Sequence, residues 1–213
     1  MGFMPPVKSC NLCNRLCLFR EQNIAKFPSY YNGAVEPFGS LDAEILVVGL
    51  APGLNGANQT GRPFTNDYAG DILYPILKEC GFAKGNYAKH KNDGFELINV
   101  RVTNAVRCVP PENKPTTEEE KTCRAFLKEE IAAMPNLKVI LCLGTISHKN
   151  VLQALNLKQS FAKFKHGDIH ILPQHKFKII DSYHTSRYNI NTGVLSYEMF
   201  KDIIQKIGSL LLL

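Results

Sequence analysis

Apolar residues recur along this chain in blocks whose spacing alternates between that of strands and that of helices. Residues 43–50, Ala-Glu-Ile-Leu-Val-Val-Gly-Leu, form a nearly unbroken apolar run that stops at Ala51-Pro52-Gly53. Such a run suits a strand covered on both faces, as in a parallel sheet. A loop rich in Gly and Asn follows to Gly70, and helical spacing then runs from Asp71 to Cys80. Asp71, at the start, is the expected cap of that helix. Residues 97–104 read as a second strand, and the Pro-rich loop 109–115 separates it from a helix reaching Met134. Thr116 and Thr117 with Glu119 and Glu120 give that helix a capping-box start. A third strand is predicted at 138–144, a helix at 145–156, short strands at 169–172 and 177–181, and a last helix at 193–210. Strands alternating with helices argue an α/β fold with a parallel, helix-covered sheet and right-handed crossovers. Ligands then sit beyond the carboxyl ends of the strands. The loops 51–70, 104–115 and 182–192 fall there and hold most of the unusual polar chemistry.

Composition narrows the picture only slightly. With 213 residues, 45% hydrophobic and 21% charged, the chain can bury a real core and fits one domain over 1–213. The net charge of +6 is compatible with a polyanionic partner without identifying one. The first ten residues, MGFMPPVKSC, lack the apolar core of a signal peptide, and no apolar run approaches about 18 residues. A cytoplasmic protein is expected, with no membrane partner, working as a monomer. Its seven cysteines then have to be explained without disulfides, which turns attention to a metal site.

Cys10-Asn-Leu-Cys13 is a C-x-x-C pair, and Cys108 and Cys123 form a second pair with fourteen residues between them. Four thiolates suit either zinc or an iron–sulfur cluster, and spacing leaves that choice open. Cys17 is reachable as a competing ligand. A redox-active C-x-x-C normally opens a helix directly after a strand, and no strand precedes this one. Cys80 and Cys142 are better read as buried apolar residues, Cys142 lying inside a strand.

Five further motifs stand in order: Gly49-Leu-Ala-Pro-Gly53, Asn58-Gln-Thr-Gly-Arg-Pro-Phe-Thr-Asn-Asp67, Gly70-Asp71, Thr103-Asn-Ala-Val-Arg-Cys108 and Ser182-Tyr-His-Thr-Ser-Arg187. Together with the cysteines and Asn113-Lys-Pro-Thr116, the pattern resembles the family 5 ("type b") uracil-DNA glycosylases over nearly the whole chain. The resemblance implies a three-layer α/β/α fold around a four-stranded parallel sheet. It also implies a [4Fe–4S] cluster on Cys10, Cys13, Cys108 and Cys123, two of them supplied by the N-terminal segment 1–40, with a structural role. Family 4 enzymes share the cluster but carry a carboxylate in the first loop. Leu50–Gly56 has no ionisable residue here, which favours family 5. The chain departs from the family's frequent His-Gly and Asn-Arg-Thr, having Asn55-Gly56 and Asn58-Gln-Thr60 instead, and that bears on substrate range.

Cleaving a base from its sugar needs the base out of the stack, a site for a cationic sugar, and donors for an anionic leaving base. Asp67 is the candidate carboxylate, steadying the sugar cation and orienting water; capping a helix is its competing role. His184 matches the histidine of the superfamily's second motif and would donate to uracil O2 while neutral. Asn104 ends a strand, where its amide can pair with uracil O4 and N3–H and reject cytosine. Phe64 would stack on the flipped base, while Gly49, Ala51 and Gly53 let the backbone approach it. Arg187, Tyr188 and Asn189 are placed to enter the minor groove, and Arg62, Arg107 and Lys114 to reach phosphates. The partner is therefore DNA, double-stranded and in some uses single-stranded. A broad-range glycosylase acting also on hypoxanthine, ethenocytosine or mismatched thymine is the alternative enzyme. A metal-stapled nucleic-acid-binding module without catalysis is the alternative of another class, supported by the missing first-loop carboxylate.

Overall fold

The computed structural model describes residues 3–212. Its first element lies where no periodicity was read: helix α1, Asn14–Lys26, follows Cys13 directly. Strand β1, Ile45–Gly49, is buried along its whole length, as its unbroken apolar run requires. The glycine-rich loop holds one short helical turn, α2 (Ala57–Thr60), and then helix α3 runs Tyr68–Glu79. Two-residue strands β2 (Ala83–Lys84) and β3 (Glu96–Leu97) pair as a small hairpin. Strand β4 is Val100–Asn104 and helix α4 is Thr117–Ala132. Strand β5 (Val139–Leu143), helix α5 (Thr145–Ala154), strands β6 (Ile169–Ile171) and β7 (Lys178–Ser182), helix α6 (Arg187–Asn191) and helix α7 (Tyr197–Leu211) complete the order.

The central sheet runs β4-β1-β5-β7-β6. The first four strands are parallel, as expected, but a fifth, β6, closes the edge antiparallel to β7. The expectation of four strands is corrected on that point. Ile169 and Ile171 face their partners across a short return that needs no helical crossover, so it adds an antiparallel edge to a parallel sheet.

Alternation along each strand sorts the core into two layers. Ile45 and Val47 pack with Leu73, Ile76 and Leu77 of α3 and Phe200, Ile203 and Ile204 of α7. Leu46 and Val48 face the other way, onto Leu127 and Ile131 of α4 and Val151 and Leu152 of α5. The result is the expected three-layer α/β/α arrangement. A smaller apolar cluster of Leu16, Val106 and Cys123, with Cys13, Cys108 and Phe126 packed against it, ties α1 to α4. Among the described residues no helix is long and apolar enough to cross a membrane.

The parallel register aligns Gly49 with Asn104. It therefore brings the carboxyl ends of β1, β4, β5 and β7 to one edge, from which the motif-bearing loops emerge.

Candidate active site

A cavity of about 360 Å³ opens at that edge. The loop after β1 supplies Leu50, Ala51, Pro52, Gly53 and Ala57; the segment leading into α3 supplies Phe64, Asp67, Tyr68 and Ala69. Asn104 from the end of β4, Asn113 beyond it, and His184, Ser186 and Arg187 after β7 close the wall. Seven residues singled out from the sequence thus share one cavity: Ala51, Gly53, Phe64, Asp67, Asn104, His184 and Arg187.

Gly49 lies just beneath. A Cβ there would come within 2.4 Å of both Asn104 Oδ1 and the Phe64 ring, so only glycine lets those side chains meet over β1. Phe64 itself holds a left-handed backbone, φ 50°, and its ring lies 6.1 Å from the His184 ring, centre to centre. Its carbonyl accepts a hydrogen bond from Tyr87 Oη at 3.1 Å, and Gly70 passes so close to it that any Cβ would collide.

Asp67 both caps α3 and faces the cavity. Its Oδ1 accepts from Gly70 N at 2.7 Å, satisfying a free helix-end donor. Burial raises its pKa, partly countered by the Gly70 hydrogen bond and reinforced by nearby Asp71. Asp71, expected to cap, instead sits one turn further on, where its Oδ2 accepts from Lys89 Nζ at 2.8 Å. Its place as cap is taken because the helix begins at Tyr68, earlier than the apolar spacing suggested. Burial alone lowers His184 to about 4, so its imidazole is neutral near pH 7.

The loop carrying His184 is braced from both sides. Thr185 Oγ1 donates to Ala69 O at 3.2 Å, and Asn189 Nδ2 donates to His184 O at 2.8 Å. Asn189, expected in the DNA groove, thus uses its amide donor inside the protein. Arg187 is exposed and lies over the Tyr68 ring at 5.3 Å, and Tyr188 projects with 73% of its surface free.

Two expected phosphate contacts are not available for that role. Arg62 is buried, gripping Asp93 through two hydrogen bonds of 2.7 and 2.8 Å amid the rings of Phe38, Tyr74, Tyr87 and Phe95. Burial opposes ionisation of Asp93, but the Arg62 hydrogen bonds outweigh it and hold the carboxyl below its usual range. Arg107 is buried too, donating to Glu130. Both guanidiniums look like free charges in a sequence, because nothing local reveals the distant carboxylate that claims them. Lys114 remains exposed, 3.8 Å from Glu112. Tyr68 and Asn113 were not singled out as site residues. The available signals were the position of Tyr68 beside Asp67 and of Asn113 at the head of Asn113-Lys-Pro-Thr116; in the structure Asn113 holds φ 56°, a conformation that suits Asn.

Cys10, Cys13, Cys108 and Cys123 line one small pocket between α1, the end of β4 and α4. Cys13 precedes the first turn of α1, and Cys123 lies two turns into α4, which folds the long spacer back. Burial, reinforced by the neighbouring thiols, raises Cys13 to about 11 and Cys108 to about 12. Four such thiols gathered in apolar surroundings need a cation to become thiolates. Cys17 does not line that pocket but stays beside it, its Sγ donating to Cys10 O at 3.5 Å. Elsewhere, Cys142, His148 and Asp181 bring ligand-type atoms within 4.8 Å of one another beneath the sheet. His148 Nδ1 and His170 Nε2 each lie 2.7 Å from Asp181, a buried network that the sequence did not disclose.

Residues 36–208 match the model of the uracil DNA glycosylase superfamily. A type-5 uracil-DNA glycosylase of Thermus thermophilus is 38% identical over 210 residues, covering 96% of this chain and 95% of the relative. Another of Pyrobaculum aerophilum is 34% identical over 208 residues, covering 96% and 90%. A type-4 enzyme of Sulfurisphaera tokodaii is 32% identical over 184 residues, covering 84% and 76%. The cavity at the strand ends, the loops that build it and these similarities agree, and the chain belongs to the uracil-DNA glycosylase superfamily, in its type-5 branch.

Proposed function

We propose that this protein hydrolyses the N-glycosidic bond of uracil in DNA and so begins base excision repair. The observation that carries the reading is the meeting of Asp67, Phe64, Asn104 and His184 around one cavity, in a chain whose relatives are named for that activity. The bond is out of reach within a stacked duplex, so the nucleotide swings out into the cavity. Phe64 stacks on the base. The Asn104 amide accepts from N3–H and donates to O4, and cytosine, presenting the reverse pattern, leaves both groups unmatched. Gly49, Ala51 and Gly53 keep the first loop thin, so that main-chain N–H groups reach the base.

As the bond stretches, the sugar gains positive charge and the base negative charge. Asp67 is the acidic residue of the cavity wall, and its carboxylate favours the cation and orients the attacking water. His184, neutral because burial keeps it so, donates N–H to uracil O2 without first losing a charge. That hydrogen bond strengthens as O2 becomes anionic, which is what accelerates the reaction. Exposed Tyr188 and Arg187 at the cavity mouth take the minor groove as the nucleotide leaves it. The protein acts as a single domain and a monomer, in the cytoplasm, on duplex DNA.

Cys10, Cys13, Cys108 and Cys123 would hold a [4Fe–4S] cluster, which would staple the N-terminal segment to α4 and supply structural order. The four thiols line one pocket and are held as thiols by burial, a donor set that suits such a cluster.

The test is a labelled duplex with one U·G pair under single-turnover conditions, followed by alkali. Strand scission at the uracil is expected, with Asp67→Asn slowed by about 10²-fold or more. Tight binding without an abasic product would establish the non-catalytic module instead. Duplexes carrying hypoxanthine, ethenocytosine or a T·G pair measure how wide the range is.

A further inference from the structure

Arg107 is one of the large side chains that are fully buried, with 1% exposure. Its Nη2 donates to Glu130 Oε2 at 2.5 Å, and Glu130 Oε1 accepts from Arg101 Nε at 2.5 Å. Thr103 Oγ1 adds a third hydrogen bond to the same carboxylate. Two guanidiniums share one carboxylate, so the group carries an excess positive charge inside the protein. More telling, Arg107 Nε and Nη1 are buried with no hydrogen-bond partner. Unmatched donors on a buried cation are among the costliest groups a fold can keep, and they call for an acceptor. Arg107 also lines the pocket of the four cysteines, and its main-chain N–H already donates to Cys123 Sγ at 3.3 Å.

We infer that Arg107 is a positioning residue for the cluster, offering its Nε–H and Nη1–H to sulfur on the buried side of the cysteine pocket. The inference rests on the cluster reading above. A [4Fe–4S] centre on four thiolates is net negative, and its reduction adds one more negative charge. A buried guanidinium hydrogen-bonded to its sulfurs offsets that charge. It therefore raises the reduction potential and slows loss of the cluster. The excess positive charge of the Arg101–Glu130–Arg107 group then has a counterpart across the pocket wall. Sequence alone suggested a phosphate contact for Arg107, and its burial turns that cation inward.

The experiment compares the full-length protein with Arg107→Met and Arg101→Met. Both variants leave Glu130 short of one guanidinium, so both lose stability, but only Arg107 lines the cysteine pocket. The readouts are the midpoint potential from a spectroelectrochemical titration and the rate at which the visible cluster absorbance bleaches under a chelator. Arg107→Met is expected to shift the potential to a more negative value and bleach several-fold faster, with Arg101→Met keeping the potential of the parent. Equal potentials in all three proteins, or equal shifts in both variants, would overturn the inference. Should Arg107→Met not fold, Arg107→Lys, which keeps the charge and loses the planar fork, is read in its place, and an unmoved potential sinks the idea. Parent protein that carries zinc and no cluster would defeat the cluster reading and this inference together. A normal cluster with an unmoved variant defeats this inference alone.

Discussion

In the proposed reaction His184 and Asp67 divide the chemistry, and burial acts on them in opposite senses. It lowers the histidine and raises the carboxyl, so both drift toward their uncharged forms. Neutrality suits a hydrogen-bond donor and handicaps an anion. Activity should therefore fall on the acid side as Asp67 gains its proton, above the ordinary carboxylate range, while His184 stays neutral down to about 4. A single-turnover pH profile in Asp67→Asn should lose that acid limb; if the limb persists, another group controls it. His184→Ala should slow base removal by about 10²- to 10³-fold, the usual loss for one donor at a developing anion. Affinity for a uracil-containing duplex, read by fluorescence anisotropy, should change little; an intact rate would remove His184 from the leaving-group role. The side chains of the cavity were legible because they lie at strand ends within compact motifs. Arg62 and Arg107 were not, since the partners that bury them, Asp93 and Glu130, lie 31 and 23 residues away.

Helix α4 links several levels of organisation. Thr116 Oγ1 accepts from Glu119 N at 3.3 Å while Glu119 Oε2 accepts from Thr116 N at 2.8 Å, a closed capping box. Glu119 also takes Arg15 Nε and Nη2 from α1 at 2.8 and 2.7 Å, so the cap doubles as a clasp on the N-terminal helix. Thr116→Ala should cost about 1 kcal/mol in thermal unfolding, the ordinary worth of a cap. A cost near zero would mean that packing of Leu127 and Ile131 alone holds the helix start. Most elements were readable from spacing, including this cap. α1 was not, because its face is largely polar and only Leu16 and Asn23 are buried. The antiparallel strand β6 was read as a strand, but its direction is decided by the length of the return to β7, which periodicity does not encode.

For the molecule as a whole, the network under the sheet sets a pH response distinct from that of the cavity. His148 Nδ1 faces Asp181 at 2.7 Å and Nε2 faces Ala162 O at 3.0 Å, two acceptors that call for two protons. Burial disfavours that imidazolium, but the Asp181 and Ala162 hydrogen bonds prevail and raise its pKa. A raised folded pKa contributes stability that is full below the unfolded value of about 6.5 and is lost as pH climbs through the folded value. Unfolding temperature should thus decline from pH 6 into the mildly alkaline range, and His148→Gln should start lower and flatten that decline. An equally steep decline in the variant would assign it elsewhere.

Asp67 and Arg187 are the charged residues of the cavity wall, and Arg187 stands at its mouth over Tyr68. In the proposed reaction Asp67 is the counter-charge that the cavity offers a cationic sugar, away from the Arg187 at its mouth. An abasic-site mimic whose ring oxygen is replaced by a protonated nitrogen, a pyrrolidinium, should be retained more tightly than the uncharged tetrahydrofuran of the same shape. Asp67→Asn should erase the gap between them. Equal retention of the two mimics by the parent protein would mean that the carboxylate holds water and does not feel the sugar.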